Sequence, residues 1–300
     1  MTTLTLFSPS GVLLKRKSLR LAQKRLQAMD FDAQIDDDAF ARHQRFAGDD
    51  DTRLAALHRV AHAAPSVAMA SAGGYGMTRL LDRIDWRLIR SSVDAGTRWV
   101  GHSDMTALQL GLLAKTGGGV TWAGPLAVTD IGRSDEAGGL DEVTRDCFQE
   151  AMSGALEAVG FRTEAGFDGL DLKGQLWGGN LSMLCSLLGT PYGPRIKGGV
   201  LFLEDVNEHP YRVERCLLQL HQAGVLGAQK AVLLGAVSAW KPAPHDRGYA
   251  MKTVLARLRA VCATPILTGL PFGHVNPKVT MPVGAKVQLV VDGRNVLMGW

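Results

Sequence analysis

Cysteine is scarce in this chain. Its four cysteines, Cys147, Cys185, Cys216 and Cys262, are widely spaced among apolar neighbours, and no C-x-x-C pair occurs. Neither a thioredoxin-like redox motif nor a cysteine-based zinc site is therefore written in the sequence, and the thiols are expected to be free and at least semi-buried. Long apolar runs are missing too, since no segment approaches the roughly 18 residues a membrane span needs. The amino terminus, "MTTLTLFSPSG", lacks the basic-then-apolar order of a secretory leader. A soluble cytoplasmic protein with no membrane partner is expected. Charge of one sign is also in short supply: 33 Lys and Arg against 29 Asp and Glu leave +4. The one basic stretch, "LLKRKSLR" (13–20), reads as the solvated start of a helix, which argues against a nucleic-acid partner. No low-complexity tract or internal repeat is present.

What is present is ordinary globular material, 46% hydrophobic with 35 glycines in 300 residues. At roughly 100 to 200 residues per domain the length allows about two. In the first half, β-like runs alternate with helical patterns: "TLTLFS" then 15–29, "PSVAMAS" (65–71) then 76–92, and "RWVGH" (98–102) then 103–115. Asp49 to Asp51 make a plausible cap for a helix carrying Leu54, Leu57 and Val60. Such repetition predicts a parallel sheet with helices on both faces, whose ligands sit at the carboxyl ends of strands. A weakly patterned, glycine-bearing stretch from about Ser153 to Gly169 predicts the crossing into a β-richer unit. The expected domains are 1–155 and 165–300. The second should contain "GGVLFLEDV", a helix over 210–223 and a closing hairpin, "KVQLVVDGRNVLMGW", turned at Asp-Gly.

Several residues carry candidate chemistry. In "WVGHSDMTAL" (99–108), Ser103 follows a strand-like run and precedes a helical one. It is either a helix N-cap or a nucleophile on a strand-to-helix turn; Met105 stands where the nucleophile elbow has its trailing glycine. The turn "AGGYGMTRLL" (72–81) could converge backbone NH groups on an anion or an oxyanion, and it does not match G-x-G-x-x-G. "VLFLEDVNEHPYRVER" ends a strand on Glu204 and Asp205, where a carboxylate could orient a histidine, while Asp205 or Asn207 could equally cap the next helix. Among eight histidines, His209 and His274 are left as candidate bases once helical and loop positions are set aside, and spacing does not choose between them.

Taken together these blocks resemble the LD-carboxypeptidases, the serine peptidase family that includes muramoyl-tetrapeptide carboxypeptidases and microcin C immunity hydrolases. The resemblance rests on "GGYGMTRLLDRIDW", "GHSDMTALQLGL", "WAGP", "GQLWGGNLSMLCSLLGTPY", "LFLEDVNEHPYRVERCLLQL" and "LPFGHVNPKVTMPVG", in that order across about 65–290. It implies Ser103 as nucleophile, His274 as base and then acid, and Glu204 as the residue orienting His274. It also implies an oxyanion hole from the backbone NH groups of Asp104 and Gly74. The implied fold is an N-terminal three-layer α/β/α domain with a mostly parallel sheet, carrying the serine. A C-terminal swivelling β/α domain carries Glu and His, and the site is expected in the cleft between the two.

The implied reaction releases terminal D-alanine from a cytoplasmic murein tetrapeptide without metal or organic cofactor, and the implied assembly is a homodimer. Arg79, near the glycine turn, is a candidate for holding the substrate carboxylate. Two positions depart from the family pattern: His102 stands where tyrosine is usual, and Ala72 where arginine is usual. A microcin C immunity-type hydrolase of peptidyl nucleotides is the alternative, for which Trp177 and Trp240 could offer an aromatic platform. A non-catalytic muropeptide-binding protein is a third reading, opposed by the intact Ser103, Glu204 and His274. A glutamine amidotransferase would want cysteine at the elbow.

Overall fold

Strand and helix alternate from the first residues, as the apolar spacing predicts. In the computed structural model, which describes residues 1–300, β1 (Thr2–Phe7), α1 (Arg16–Ala28), β2 (Phe31–Ile35), α2 (Asp50–Ala63), β3 (Val67–Ala70), α3 (Trp86–Asp94), β4 (Arg98–Gly101), α4 (Thr106–Thr116), β5 (Thr121–Ala123) and α5 (Glu142–Ser153) follow one another. Two compact units are formed: residues 1–156 with 190–194 and 277–284, and residues 157–189 with 195–276 and 285–300.

The first unit holds a six-stranded sheet in which β2, β1, β3, β4 and β5 lie side by side and parallel. A short strand from much later in the chain, Met281–Val283, closes its edge antiparallel to β5. The first crossover steps to one side of β1 and the next three to the other. Right-handed connections then put α1 on one face and α2, α3 and α4 on the opposite one. Local signals start these helices: the Asp49 side chain accepts from Thr52 N at 2.8 Å, as expected, and Asp85 and Asp141 cap α3 and α5. Every residue from Thr106 to Leu113 of α4 is buried, which makes it the core helix of this unit.

Two expected helices start late. The stretch 76–92 opens as a single 3-10 turn at Met77–Arg79, with α3 beginning only at Trp86, and 103–115 likewise opens as a 3-10 turn at Ser103–Met105. Both departures fall where a strand end hands the chain to a helix.

The second unit is built from β6 (Ala158–Arg162), β7 (Asp171–Asn180), α6 (Leu181–Leu187), β8 (Val200–Val206), α7 (Pro210–Gln222), β9 (Ala231–Ser238), α8 (Met251–Val261), β10 (Ile266–Thr268), then, after β11 (the Met281–Val283 strand of the first sheet), β12 (Lys286–Asp292) and β13 (Asn295–Gly299). Its seven strands run β10-β9-β8-β7-β12-β13-β6, parallel from β7 to β10 and antiparallel elsewhere. The closing hairpin forms as expected, with Asp292 opposite Asn295. The glycine-bearing stretch 153–169 is not all connection, because it contains β6. No helix is long and apolar enough to cross a membrane.

Candidate active site

In the first unit, β1, β3 and β4 are neighbours, and the crossover direction reverses between β1 and β3. Loops leaving such a switch point diverge and open a crevice at the carboxyl ends of the strands. Ser103 stands one strand over from the switch point, at the carboxyl end of β4 and two residues after its last residue, half-buried and with φ +62°. A non-glycine residue in the left-handed region is strained by an amount of order 1–3 kcal/mol, and a sharp strand-to-helix turn of this kind thrusts its side chain outward. The capping reading fails on geometry: His102 precedes the 3-10 turn and Met105 precedes α4, and neither end is closed by a side-chain bond.

The glycine turn lies against this serine. A Cβ on Gly73 would sit 2.8 Å from both Cβ and Oγ of Ser103, so only glycine leaves the hydroxyl its space. Gly74 has φ +110°, and Gly73 O accepts from Gly11 N at 3.1 Å. One carboxylate ties the three loops together: Asp104 Oδ2 accepts from Ser10 Oγ at 2.6 Å and from Met77 N at 2.8 Å. Burial pushes the Asp104 carboxyl above the usual range, opposed by those two hydrogen bonds and by the Arg53 charge. Arg53 is fully buried and donates to Pro9 O and Gly76 O, bracing the same loops. Arg79 is engaged as well, since Nε and Nη2 both donate to Asp50 Oδ2 and its guanidinium lies over the Phe46 ring.

His102, beside the serine, is buried. Its Nδ1 donates to Gly124 O at 2.9 Å, and the lone pair this leaves on Nε2 faces Lys278 Nζ at 3.4 Å. Lys278 pairs with Asp130 at 2.8 Å, and both side chains are buried. A lysine next to β11 in the late segment thus neutralises the only carboxylate of that network.

In the second unit, β8 carries Glu204 and Asp205 at its carboxyl end, and its register against β9 shifts between Leu203 and Asp205. The irregularity lets two consecutive carboxylates, both buried, reach one amide: Asn180 Nδ2 donates to Glu204 Oε1 and to Asp205 Oδ1, each at 3.1 Å. Asp205 also accepts from Ser182 N and Oγ, and burial pushes its carboxyl up against these bonds. Glu204 Oε2 accepts from His274 Nδ1 at 2.8 Å. The bond fixes the hydrogen on Nδ1 and leaves Nε2 as the basic nitrogen, while the imidazole stays partly exposed and the carboxylate does not. Gly273, at φ +131°, packs on Glu204, where a Cβ would come within 3.1 Å of the Glu204 Cβ.

The other candidates have other duties. His209, and neither Asp205 nor Asn207, caps α7, and its Nε2 donates to Asp246 Oδ2 at 3.0 Å. Trp177 is buried with its indole NH on Gln229 Oε1, while Trp240 is half-buried, edge-on to His209. Sequence reasoning missed Asn180, Gly273 and the Lys278–Asp130 pair. Asn180 alone left a local signal, as an N-cap residue ahead of the apolar run of α6. All four cysteines are free, with Cys185 Sγ donating to Cys216 O at 3.6 Å. No group of three or more His, Cys, Asp or Glu side chains is placed to hold a metal ion.

Comparison with known proteins draws on the whole of this frame. Residues 4–124 match the LD-carboxypeptidase N-terminal domain and residues 173–289 the LD-carboxypeptidase C-terminal domain. The chain belongs to the LD-carboxypeptidase family. Within it, the chain is 34% identical over 249 residues to the "Probable murein peptide carboxypeptidase" of Bacillus subtilis, covering 83% of this chain and 76% of the relative. The crystal structure of muramoyltetrapeptide carboxypeptidase from Oxalobacter formigenes superposes with a TM-score of 0.89 at 36% identity, over 99% of this chain and 98% of that one. The microcin C7 self-immunity protein of Escherichia coli is 25% identical over 257 residues, 76% of this chain and 72% of its own. This LD-carboxypeptidase is therefore a peptidase with the family's two-domain α/β architecture.

Proposed function

We propose that the chain is a serine LD-carboxypeptidase that releases the terminal D-alanine of murein tetrapeptides in the cytoplasm, as a homodimer, in peptidoglycan recycling. Ser103 attacks the carbonyl, His274 Nε2 takes its proton and later gives it to the leaving amine, and Glu204 holds and stabilises the imidazolium. The backbone NH groups of Asp104 and Gly74 hold the oxyanion, and water then hydrolyses the acyl-enzyme. The observation that carries this reading is the pairing of His274 with buried Glu204 at 2.8 Å. The strained Ser103 backbone beside Gly73 supports the nucleophile, and the names of the Bacillus and Oxalobacter relatives support the substrate class.

The test is incubation of wild type and Ser103→Ala with free murein tetrapeptide, following D-alanine and tripeptide by mass spectrometry. Release by wild type alone supports the reading. Release by both would remove Ser103 from the mechanism. Turnover of a peptidyl nucleotide with the tetrapeptide left intact would favour the second reading, a microcin C immunity-type hydrolase, which the likeness to the Escherichia coli self-immunity protein keeps in view.

A further inference from the structure

The first unit contains an open cavity of about 920 Å³, in the size range of small-ligand sites. Five of its lining residues are cationic (Lys15, Arg16, Lys17, Arg42 and Arg133), and none is acidic. Over the whole chain, 33 basic residues are matched by 29 acidic ones. A lining of five against none is thus a local segregation of charge and does not follow from composition. The field is reinforced by the backbone. Helix α1 begins in the wall of the cavity with no acidic residue in its first turn and no side-chain cap, so the positive end of its dipole adds to the cations.

The cavity also has an address. Ala72 lines it, and the next residue, Gly73, is the one packed against the Ser103 hydroxyl. Val12 lines it too, one residue after Gly11, whose NH donates to Gly73 O. The short alanine side chain at 72 leaves room at the wall that adjoins the glycine turn. Arg79, the cation nearest the glycine turn in sequence, has its fork on Asp50, whereas no ion pair or side-chain hydrogen bond of Lys15 or Lys17 competes for an incoming anion.

We infer that this basic cavity is the subsite for a carboxylate on the acyl side of the scissile bond, so that the enzyme selects peptides whose penultimate or earlier residues carry a free carboxylate over their amidated counterparts. The inference rests on the carboxypeptidase reading and names the acyl-side chemistry that reading leaves open. Lys15 and Lys17 act on binding and hold none of the reacting atoms. Their removal therefore raises KM for the acidic peptide and leaves kcat nearly untouched, the signature of an interaction equally strong in ground and transition states.

The experiment uses two synthetic tetrapeptides that differ only in one acyl-side group, carboxylate or carboxamide, with wild type and the Lys15→Gln/Lys17→Gln double variant of the full chain. Wild type is expected to show a KM on the order of tenfold lower for the carboxylate peptide, the scale of one charge-assisted contact. The double variant should erase most of that preference by raising only the carboxylate peptide's KM, with kcat unchanged for both. Equal KM for the two peptides in wild type, or an equal loss for both in the variant, overturns the assignment. Calorimetric binding of the same pair to Ser103→Ala reads the cavity without turnover. If wild type cleaves neither peptide, the carboxypeptidase reading fails by itself, and the calorimetric preference, erased or kept when Lys15→Gln/Lys17→Gln is added, still decides the subsite. Competition by adenosine monophosphate in place of the peptide carboxylate would assign the cations to a nucleotide phosphate and likewise overturn the proposal.

Discussion

At the scale of single residues, the backbone of Ser103 states what its neighbours in sequence leave open. A left-handed serine that caps no helix is a local cost without a local return. Ser103→Gly is accordingly expected to raise stability, by about 1 kcal/mol, while abolishing turnover. Thermal unfolding and a D-alanine assay check the two halves, and a fall in melting temperature would show that the serine is not strained. Gly73→Ala should keep the fold and lose most activity, because the new methyl group would occupy the 2.8 Å shell around the Ser103 hydroxyl. Retained kcat in that variant would mean the turn can retreat.

Cys216 offers a pH test. The neighbouring Cys185 side chain, whose Sγ donates to the Cys216 carbonyl, is the largest of the causes that bring Cys216 down to about 7, with Arg215 adding to the effect. The thiolate is the reactive form, so alkylation of Cys216 should rise with pH through a midpoint near 7 and move toward the ordinary thiol range in Cys185→Ala. Peptide mapping after iodoacetamide reads this, and an unshifted profile would remove Cys185 as the cause.

At the scale of elements, strand ends and helix starts do the positioning. Asn180 closes β7, caps α6 through Met183 N, and gives its amide to Glu204 and Asp205. Loss of the cap in Asn180→Ala should cost about 1 kcal/mol. The same change leaves two buried carboxylates without their shared donor, so kcat should fall as well, in step with Glu204→Gln. The expected drop for Glu204→Gln is orders of magnitude, on the scale of ~10⁴ when a triad carboxylate becomes an amide. A stability loss with normal kcat would reduce Asn180 to a cap. Much of this level was legible beforehand. The β1–α1, β3 and β4 signals, the Asp49 cap and the Asp-Gly hairpin all depend on residues close in sequence. The 3-10 starts at Met77 and Ser103 were not legible, because apolar spacing does not register that a loop must first carry the chain over the sheet edge.

At the scale of the whole molecule, the chain returns late to its first unit, and the return is held by charge as well as by strand pairing. β11 pairs with β5, and Lys278, three residues before it, is paired with buried Asp130 and faces His102. Lys278→Met would leave the Asp130 charge uncompensated in the interior, at a cost of about 3–5 kcal/mol. Lys278→Met/Asp130→Leu should recover most of that loss, because replacing both partners removes the stranded charge. Denaturant midpoints of the two variants make the comparison. Equal midpoints for the single and double variants would show that the pair carries no such weight. The stretch around "HVNPKVTMPVG" reads in sequence as a rigid loop around a candidate base. Its strand and its lysine emerged only in the fold, because their partners lie more than a hundred residues upstream.

What this sequence determined by itself is everything that nearest neighbours in the chain can specify: the alternation of strand and helix, the caps, the closing hairpin, and six ordered blocks that resemble one peptidase family. Spacing left His209 and His274 open, and only the resemblance named Glu204 as the partner of His274; tertiary structure alone decided why Gly73 is glycine, how Lys278 meets Asp130, and where five cations gather without an acid among them. The physical reason is range. Backbone propensities and caps act over a few residues, whereas a hydrogen bond between Glu204 and His274 or a pocket lined from residues 12 to 137 exists only after distant segments have been brought together by burial of their apolar faces.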